Sequence, residues 1–314
     1  MAKYLVTGGA GFIGCNLVRF ILEKGHEVVV LDDFSTGKRQ NIADVKDRIE
    51  LIEADIRDRG AVDRATKGVD AIFHQAALGS VPRSMKDPWT THDVNVNGTV
   101  NILEAARAAG VRRIVFAASS SAYGEKKESP KHEDMVPAPI SPYAASKVAC
   151  EAYMQGYAAA FGMETLCLRY FNVFGRYQDP AGAYAAVIPA FISRLLRGQS
   201  PVVYGDGEQS RDFCYIDNVC KANWLAAYAA ADKCKGQAIN IACQQSTNLN
   251  QILDQLRKLL EMDIKAVYET KRRGDVKHSL ADISRAKAVL GYQPEIYFKQ
   301  GLAEAINWYK QHLS

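Results

Sequence analysis

Thr7-Gly8-Gly9-Ala10-Gly11-Phe12-Ile13-Gly14 stands between a strand-like run, Lys3-Tyr4-Leu5-Val6, and a helical pattern over residues 12–24. Gly8, Gly11 and Gly14 have G-x-x-G-x-x-G spacing. Such a loop allows a tight turn, close backbone approach to a pyrophosphate, and close packing of helix on sheet. The helix N-terminus then offers unpaired N–H groups to the phosphates. A glycine triplet alone is often only a turn. Its place between a strand and a helix makes this one a dinucleotide-binding loop.

The segments around it follow the same rhythm. Strands are expected at Tyr4–Val6, Val28–Leu31, Leu51–Glu53, Ala71–His74, Ile114–Ala117 and Leu166–Tyr170. Most are apolar throughout, as in strands buried on both faces. Helical patterns fill about 12–24, 59–67, 92–109 and 142–161. This alternation predicts an α/β fold, a Rossmann-type doubly wound parallel sheet. After Phe171 the rhythm changes. A helix is expected near Ala186–Arg197, another over Asp217–Ala231, and a buried strand at Ala238–Ala242. Leu249, Ile252, Leu253, Leu256, Leu259 and Leu260 share a helical face, and Leu302, Ile306, Tyr309 and Leu313 mark a last helix.

The second strand ends Leu31-Asp32-Asp33. An acid at Asp32 suits the adenosine ribose hydroxyls and repels a 2′-phosphate, which favours NAD over NADP. Lys38 and Arg39 could argue for NADP, but they come later and read as a solvated loop. Asp55 ends the third strand, where it could reach the adenine or cap the next helix.

Strand five runs into Ser119-Ser120-Ser121, and Ser141-Pro142-Tyr143-Ala144-Ala145-Ser146-Lys147 follows. Ser141 can cap a helix whose first residue is Pro142. Tyr143 and Lys147 are then i and i+4 on one face. A lysine ammonium nearby would favour the phenolate, making Tyr143 a base for a sugar hydroxyl. A strand-five serine would bond the same oxygen. Y-x-x-x-K alone is common on helix surfaces; the glycine loop and the strand-end serines give it meaning, because parallel sheets bind ligands at the carboxyl ends of their strands.

These motifs, with Tyr123-Gly124 and Arg169-Tyr170-Phe171-Asn172-Val173-Phe174-Gly175, resemble the extended short-chain dehydrogenases that act on nucleotide sugars. The resemblance runs from Lys3 to about Tyr309. It implies a tightly held NAD in a Rossmann domain, residues 1–172 with 217–242 returning to it. It also implies a smaller mixed α/β domain, 173–216 and 243–314, gripping a UDP-sugar. Tyr143 would be the base, Lys147 its electrostatic partner, and Ser119 and Ser121 contacts of the 4-oxygen. The cofactor would meet Gly8, Gly11, Phe12, Ile13, Gly14, Asp32, Asp33, Asp55, Ile56, Gln75, Ala76, Ala77, Tyr143, Lys147 and Tyr170. Asn95 matches a family asparagine near the cofactor, though a buried helix polar group reads equally well.

On the substrate side the resemblance implies Ser80, Arg83, Ser120, Asn172, Val187 and Tyr204. Arg211 and Arg272 would clamp the phosphates as guanidinium forks, and Asp275 would take the uridine ribose. On the sequence alone, either arginine reads sooner as an exposed surface charge. Residues 77–84, 182–189 and 275–282 are similar to the UDP-N-acetylglucosamine 4-epimerase branch. There Ser279 replaces a bulky tyrosine of the enzymes restricted to UDP-glucose and UDP-galactose, leaving room for an acetamido group. Gly79 replaces their lysine. Family dehydratases carry an Asp-Glu pair after the strand-five hydroxyl residue, where Ser121 and Ala122 are read here. The implied reaction is C4 epimerisation of UDP-GlcNAc and UDP-GalNAc, with UDP-glucose and UDP-galactose as further candidates. A UDP-glucuronate epimerase or decarboxylase, with Arg83 for the carboxylate, is the alternative. An NAD-binding regulatory protein would be expected to have lost the Tyr/Lys pair. A homodimer through residues 92–109 and 142–161 is a family expectation.

Composition narrows the classes further. The 314 residues are 48% hydrophobic and 24% charged, ordinary for a globular enzyme. A net charge of +4 without a basic block speaks against nucleic-acid binding. The 7 cysteines include no C-x-x-C pair, against a zinc site or disulfide framework. The N-terminus enters a strand at once and no apolar run nears the ~20 residues of a membrane span. A cytoplasmic enzyme without metal is expected.

Overall fold

The computed structural model describes residues 1–180, 186–270 and 277–313. Strands β1 (Lys3–Thr7), β2 (Glu27–Asp32), β3 (Glu50–Glu53), β4 (Ala71–His74), β5 (Arg113–Ser119) and β6 (Glu164–Tyr170) alternate with helices. These are α1 (Phe12–Glu23), α2 (Arg59–Thr66), α3 (Val81–Lys86), α4 (Pro88–His92), α5 (Gly98–Ala109) and α6 (Pro142–Phe161). Then come β7 (Val173–Phe174), α7 (Val187–Leu196), β8 (Val202–Tyr204), β9 (Ser210–Arg211), β10 (Cys214–Tyr215), α8 (Ile216–Ala227) and β11 (Lys235–Ile241). The rest is β12 (Thr247–Asn248), α9 (Leu249–Leu260), β13 (Val267–Glu269), β14 (His278–Ser279), α10 (Ser284–Leu290) and α11 (Phe298–His312).

Seven parallel strands form the central sheet in the order β3-β2-β1-β4-β5-β6-β11. Strand alternation sends Val6, Val28 and Val30 into one core with Leu17, Val18 and Ile21 of α1 and Val219 and Ala222 of α8. Leu5, Val29 and Leu31 enter the other, against Val62, Ile102, Leu103, Cys150 and Met154 of α2, α5 and α6. Apolar residues at every position are therefore what this sheet requires. β3 departs from that pattern. It is an edge strand with Leu51 exposed, because β2 covers only one of its sides. The strand order reverses between β1 and β4, which opens a crevice at their carboxyl ends.

Two helices show how local sequence sets the ends. Ser141 Oγ accepts the Ala144 N–H at 3.2 Å, Pro142 opens α6, and Gly162 closes it at φ +65°. The single helix expected over 92–109 is instead broken by a π turn at Asp93–Asn97. There the Asn95 carbonyl is taken by side chains, Thr99 Oγ1 at 2.6 Å and Cys150 Sγ at 3.2 Å, which widens the turn.

Arg169 of β6 donates twice to Glu151 of α6, at 2.9 and 2.7 Å, and both side chains are buried. Glu151→Ala would leave the guanidinium without its counter-charge. Its unfolding free energy in urea should fall by about 3–5 kcal/mol. A change below about 1 kcal/mol would show that the pair contributes as little as a surface bridge.

Candidate active site

The glycine loop is fixed by sterics. Gly8 has φ +68°, and a Cβ there would lie 2.8 Å from the Ala76 backbone. A Cβ on Gly14 would lie 2.0 Å from the Gly8 carbonyl oxygen. The loop therefore presses β1 against the end of β4 and brings α1 close beneath it. α1 starts without an acidic residue in its first turn or a capping side chain. Its unpaired N–H groups open onto a cleft of about 610 Å³ at the β1/β4 switch point. Gly8, Gly11, Phe12, Ile13 and Gly14 line that cleft from the loop. Asp32 and Asp33, then Asp55 and Ile56, line it from the ends of β2 and β3, and Gln75, Ala76 and Ala77 from the end of β4. A glycine-walled cradle over a helix N-terminus, with acids at its far end, fits a dinucleotide with a free 2′-hydroxyl.

Asp32 does more than line the wall. Its buried carboxylate accepts the Ala10 and Phe34 N–H groups, both at 2.8 Å, stapling the loop to β2. Burial raises its pKa. Asp33 is exposed and holds Ser35. Asp55 does not cap α2: Asp58 does, accepting the Ala61 N–H at 3.1 Å. Burial pushes the Asp55 carboxyl up, but the Arg57 guanidinium outweighs it and holds the carboxyl below the usual range. Lys38 pairs with Asp179 at 2.7 Å, and Arg39 pairs with Glu53 and covers the Phe34 ring. Both cations are engaged by other side chains.

Ser119 closes β5. Its Oγ accepts the Ser121 N–H at 3.2 Å and the Ser121 hydroxyl at 2.8 Å, and it stands beside the Tyr143 hydroxyl. Burial pushes the Tyr143 phenol up, and the neighbouring Ser119 hydroxyl pulls it down. The Lys147 ammonium donates to the Ala117 carbonyl at 2.7 Å and lies 4.7 Å above the Phe116 ring, which ties α6 to the strand that carries Ser119. Burial lowers its pKa to about 8. Since Ser119 is the hydroxyl that meets Tyr143, Ser120 and Ser121 follow it, one position earlier than expected. Neither is an acid, so a dehydratase pair is missing all the same.

Several residues expected at the cofactor lie behind the cleft wall. Asn95 is buried; its Oδ1 accepts the Leu78 N–H at 2.8 Å and its Nδ2 donates to Ser146 Oγ at 2.9 Å. It holds the loop after β4 against α6. Tyr170 is buried, and its hydroxyl donates to Gln75 Oε1 at 3.3 Å and meets Asn223. Neither appears on the wall of the cleft. His74 is neutral: burial lowers its pKa to about 3, and it bonds Thr7 and Thr99.

Asn172, Val187, Tyr204 and Arg211 line a second pocket of about 320 Å³. Ala186 lines both cavities. Arg211 Nη1 donates to the Ser210 and Lys277 carbonyls at 2.9 and 3.3 Å. Ser279 is the register partner of Arg211 across β9 and β14. Ser80 and Arg83, expected on the substrate side, line the first cleft, where Ser80 caps α3 and accepts the Arg83 N–H at 3.2 Å. Arg272 and Asp275 lie outside the described residues. The sequence reading missed Gln178 and Asp179, which line the first cleft, and Asn223 behind it. No helix among the described residues is long and apolar enough to cross a membrane.

Residues 4–242 match the model of the NAD dependent epimerase/dehydratase family. A UDP-glucose 4-epimerase of Mycolicibacterium smegmatis is 37% identical over 312 residues, covering 98% of each chain. The solved UDP-N-acetylglucosamine 4-epimerase of Methanobrevibacter ruminantium, in complex with UDP-N-acetylmuramic acid, superposes with a TM-score of 0.94 at 38% identity over 99% of both chains. The Thermus thermophilus UDP-glucose 4-epimerase, in complex with NAD, gives 0.88 at 33% identity over 98% of this chain and 99% of that one. A relative 34% identical over 324 residues, 100% of this chain and 98% of its own, is a UDP-glucuronate 4-epimerase of Thermodesulfobacterium geofontis. With the glycine cradle, the β2 acids and the Ser119–Tyr143 pair in one fold, the chain belongs to the NAD dependent epimerase/dehydratase family and takes NAD as its cofactor.

Proposed function

We propose that this NAD-dependent UDP-sugar 4-epimerase interconverts UDP-N-acetylglucosamine and UDP-N-acetylgalactosamine, and also accepts UDP-glucose and UDP-galactose. The observation that carries the acetylated substrate is Ser279, a small residue paired in register with Arg211 of the second pocket. Gly79 supports it from the other side: it lines the first cleft, and a Cβ there would meet nothing within 4 Å. The likeness to the M. ruminantium enzyme points the same way.

NAD, bound along the glycine loop, supplies the hydride acceptor for the sugar C4. Tyr143 takes the 4-hydroxyl proton, and Ser119 steadies the oxygen between them. Lys147 sets the height of α6 over β5 through the Ala117 carbonyl. Arg211 and Asn172 hold the diphosphate side while the 4-keto sugar turns its opposite face to the cofactor; Tyr143 then returns the proton to the 4-oxygen as the hydride goes back to that opposite face of C4, which inverts the centre without net redox change. The sugar must therefore fit in two orientations, and a 2-acetamido group sweeps space that a hydroxyl does not need. A homodimer would form across α5 and α6, where Tyr153 and Phe161 stand exposed.

Three measurements test this reading. Tyr143→Phe should keep the fold and bound NAD but lose about 10²–10⁴-fold in turnover. A rate within about twofold of wild type would remove Tyr143 from proton transfer. Purified protein should epimerise without added nucleotide and release no NADH; stoichiometric NADH would make it a net dehydrogenase. Ser279→Tyr should cost about 10–100-fold in kcat/KM on UDP-GlcNAc while sparing UDP-glucose. An unchanged ratio would place Ser279 away from the sugar, and turnover of UDP-glucuronate instead would favour the carboxylate-bearing substrate and Arg83.

A further inference from the structure

Arg211 and Phe213 both line the second pocket, and Asp212 between them faces the other way. It has 0% relative exposure. A buried carboxylate needs strong compensation. Here backbone amides provide it: the Cys243 N–H donates at 3.0 Å and the Ala281 N–H at 3.2 Å, with the amides of Gln244 and Gln245 nearby. The main chain of the same residue is also engaged, since Asn172 Nδ2 donates to the Asp212 carbonyl at 3.1 Å. Asn172 adopts φ +32°, and its own carbonyl accepts the Cys214 N–H at 3.3 Å.

These bonds join four stretches that are far apart in sequence. One carries Asn172, one carries Arg211, one turns at 243–245 after β11, and one is the strand of Ser279 running into Ala281. We infer that Asp212 is the positioning residue of the nucleotide-sugar half of the site. Its carboxylate and its main-chain carbonyl together fix where Arg211, Asn172 and Ser279 stand relative to one another, without touching substrate. This rests on the proposed function for what the pocket holds, but not for the hub itself. Burial pushes the Asp212 carboxyl up to about 6, against the backbone amides that pull it down. An isosteric amide would turn N–H groups toward N–H groups, so the geometry discriminates sharply against asparagine.

The test is Asp212→Asn in the full-length protein, with UDP as the probe because every substrate of this class carries it. NAD content and the rates of β1–β5 amide exchange should match wild type. Amides of 243–245 and 280–282 should exchange faster. Affinity for UDP should weaken, and KM for the UDP-sugar rise, by about tenfold or more. At saturating substrate kcat should change by less than about threefold, since Ser119 and Tyr143 are not displaced. Unchanged UDP affinity with unchanged exchange would overturn the inference, as would a fall in kcat at constant KM. Asp212→Ser carries the same expectations should the asparagine variant fail to fold. If wild-type protein does not bind UDP, the substrate reading fails, and amide exchange alone decides whether Asp212 is the hub.

Discussion

The constraint on which the cofactor cleft depends is the approach of Gly8 to Ala76. Two strand ends, β1 and β4, diverge in their connections but are held so near that no side chain fits between them. Gly14 repeats the demand one helical turn further on, against the Gly8 carbonyl. These contacts set the floor of the cofactor cleft and the height at which α1 meets it. The staple from Asp32 to Ala10 closes the loop from the β2 side. Everything on the carboxyl edge of the sheet is then placed relative to a rigid cradle, including Ser119 at the end of β5 and the loop that Asn95 ties down.

The chemistry sits on a different kind of support. Tyr143 and Lys147 lie on α6, whose start is written in Ser141 and Pro142 and whose middle is anchored by the Glu151–Arg169 pair to β6. Lys147 reaches the Ala117 carbonyl, and Tyr143 stands beside Ser119 two residues further along the same strand. One helix is thus held over one strand at the edge where the serines lie.

Much of this was legible before the coordinates. Buried parallel strands are apolar at every residue, so β1, β2, β4, β5 and β6 announced themselves, and the glycine spacing placed the cofactor. What stayed hidden depends on partners distant in sequence. The π turn at Asp93–Asn97 surrounds a carbonyl, that of Asn95, which the side chains of Thr99 and of the distant Cys150 both take. Asp55 and Asp58 are both plausible caps three residues apart, and only the course of the chain selects the second. The strands β7, β9 and β10 have two residues each, too short for any periodicity, and arise from pairing across the smaller half. Asp212 left a trace, a lone acid before the apolar run Phe213-Cys214-Tyr215-Ile216, but amides from two distant segments, at Cys243 and Ala281, had to converge on it before that trace acquired meaning.

All seven cysteines are free and buried, spread over both cores and the junction between them. Burial raises the pKa of Cys15, Cys150, Cys167, Cys220 and Cys234, which keeps those thiols protonated and unreactive. A cysteine introduced on the surface would consequently be the one nucleophile a maleimide dye could reach in the native protein. Paired dyes on the two halves of the chain would then report their separation during turnover, with the native thiols left in place.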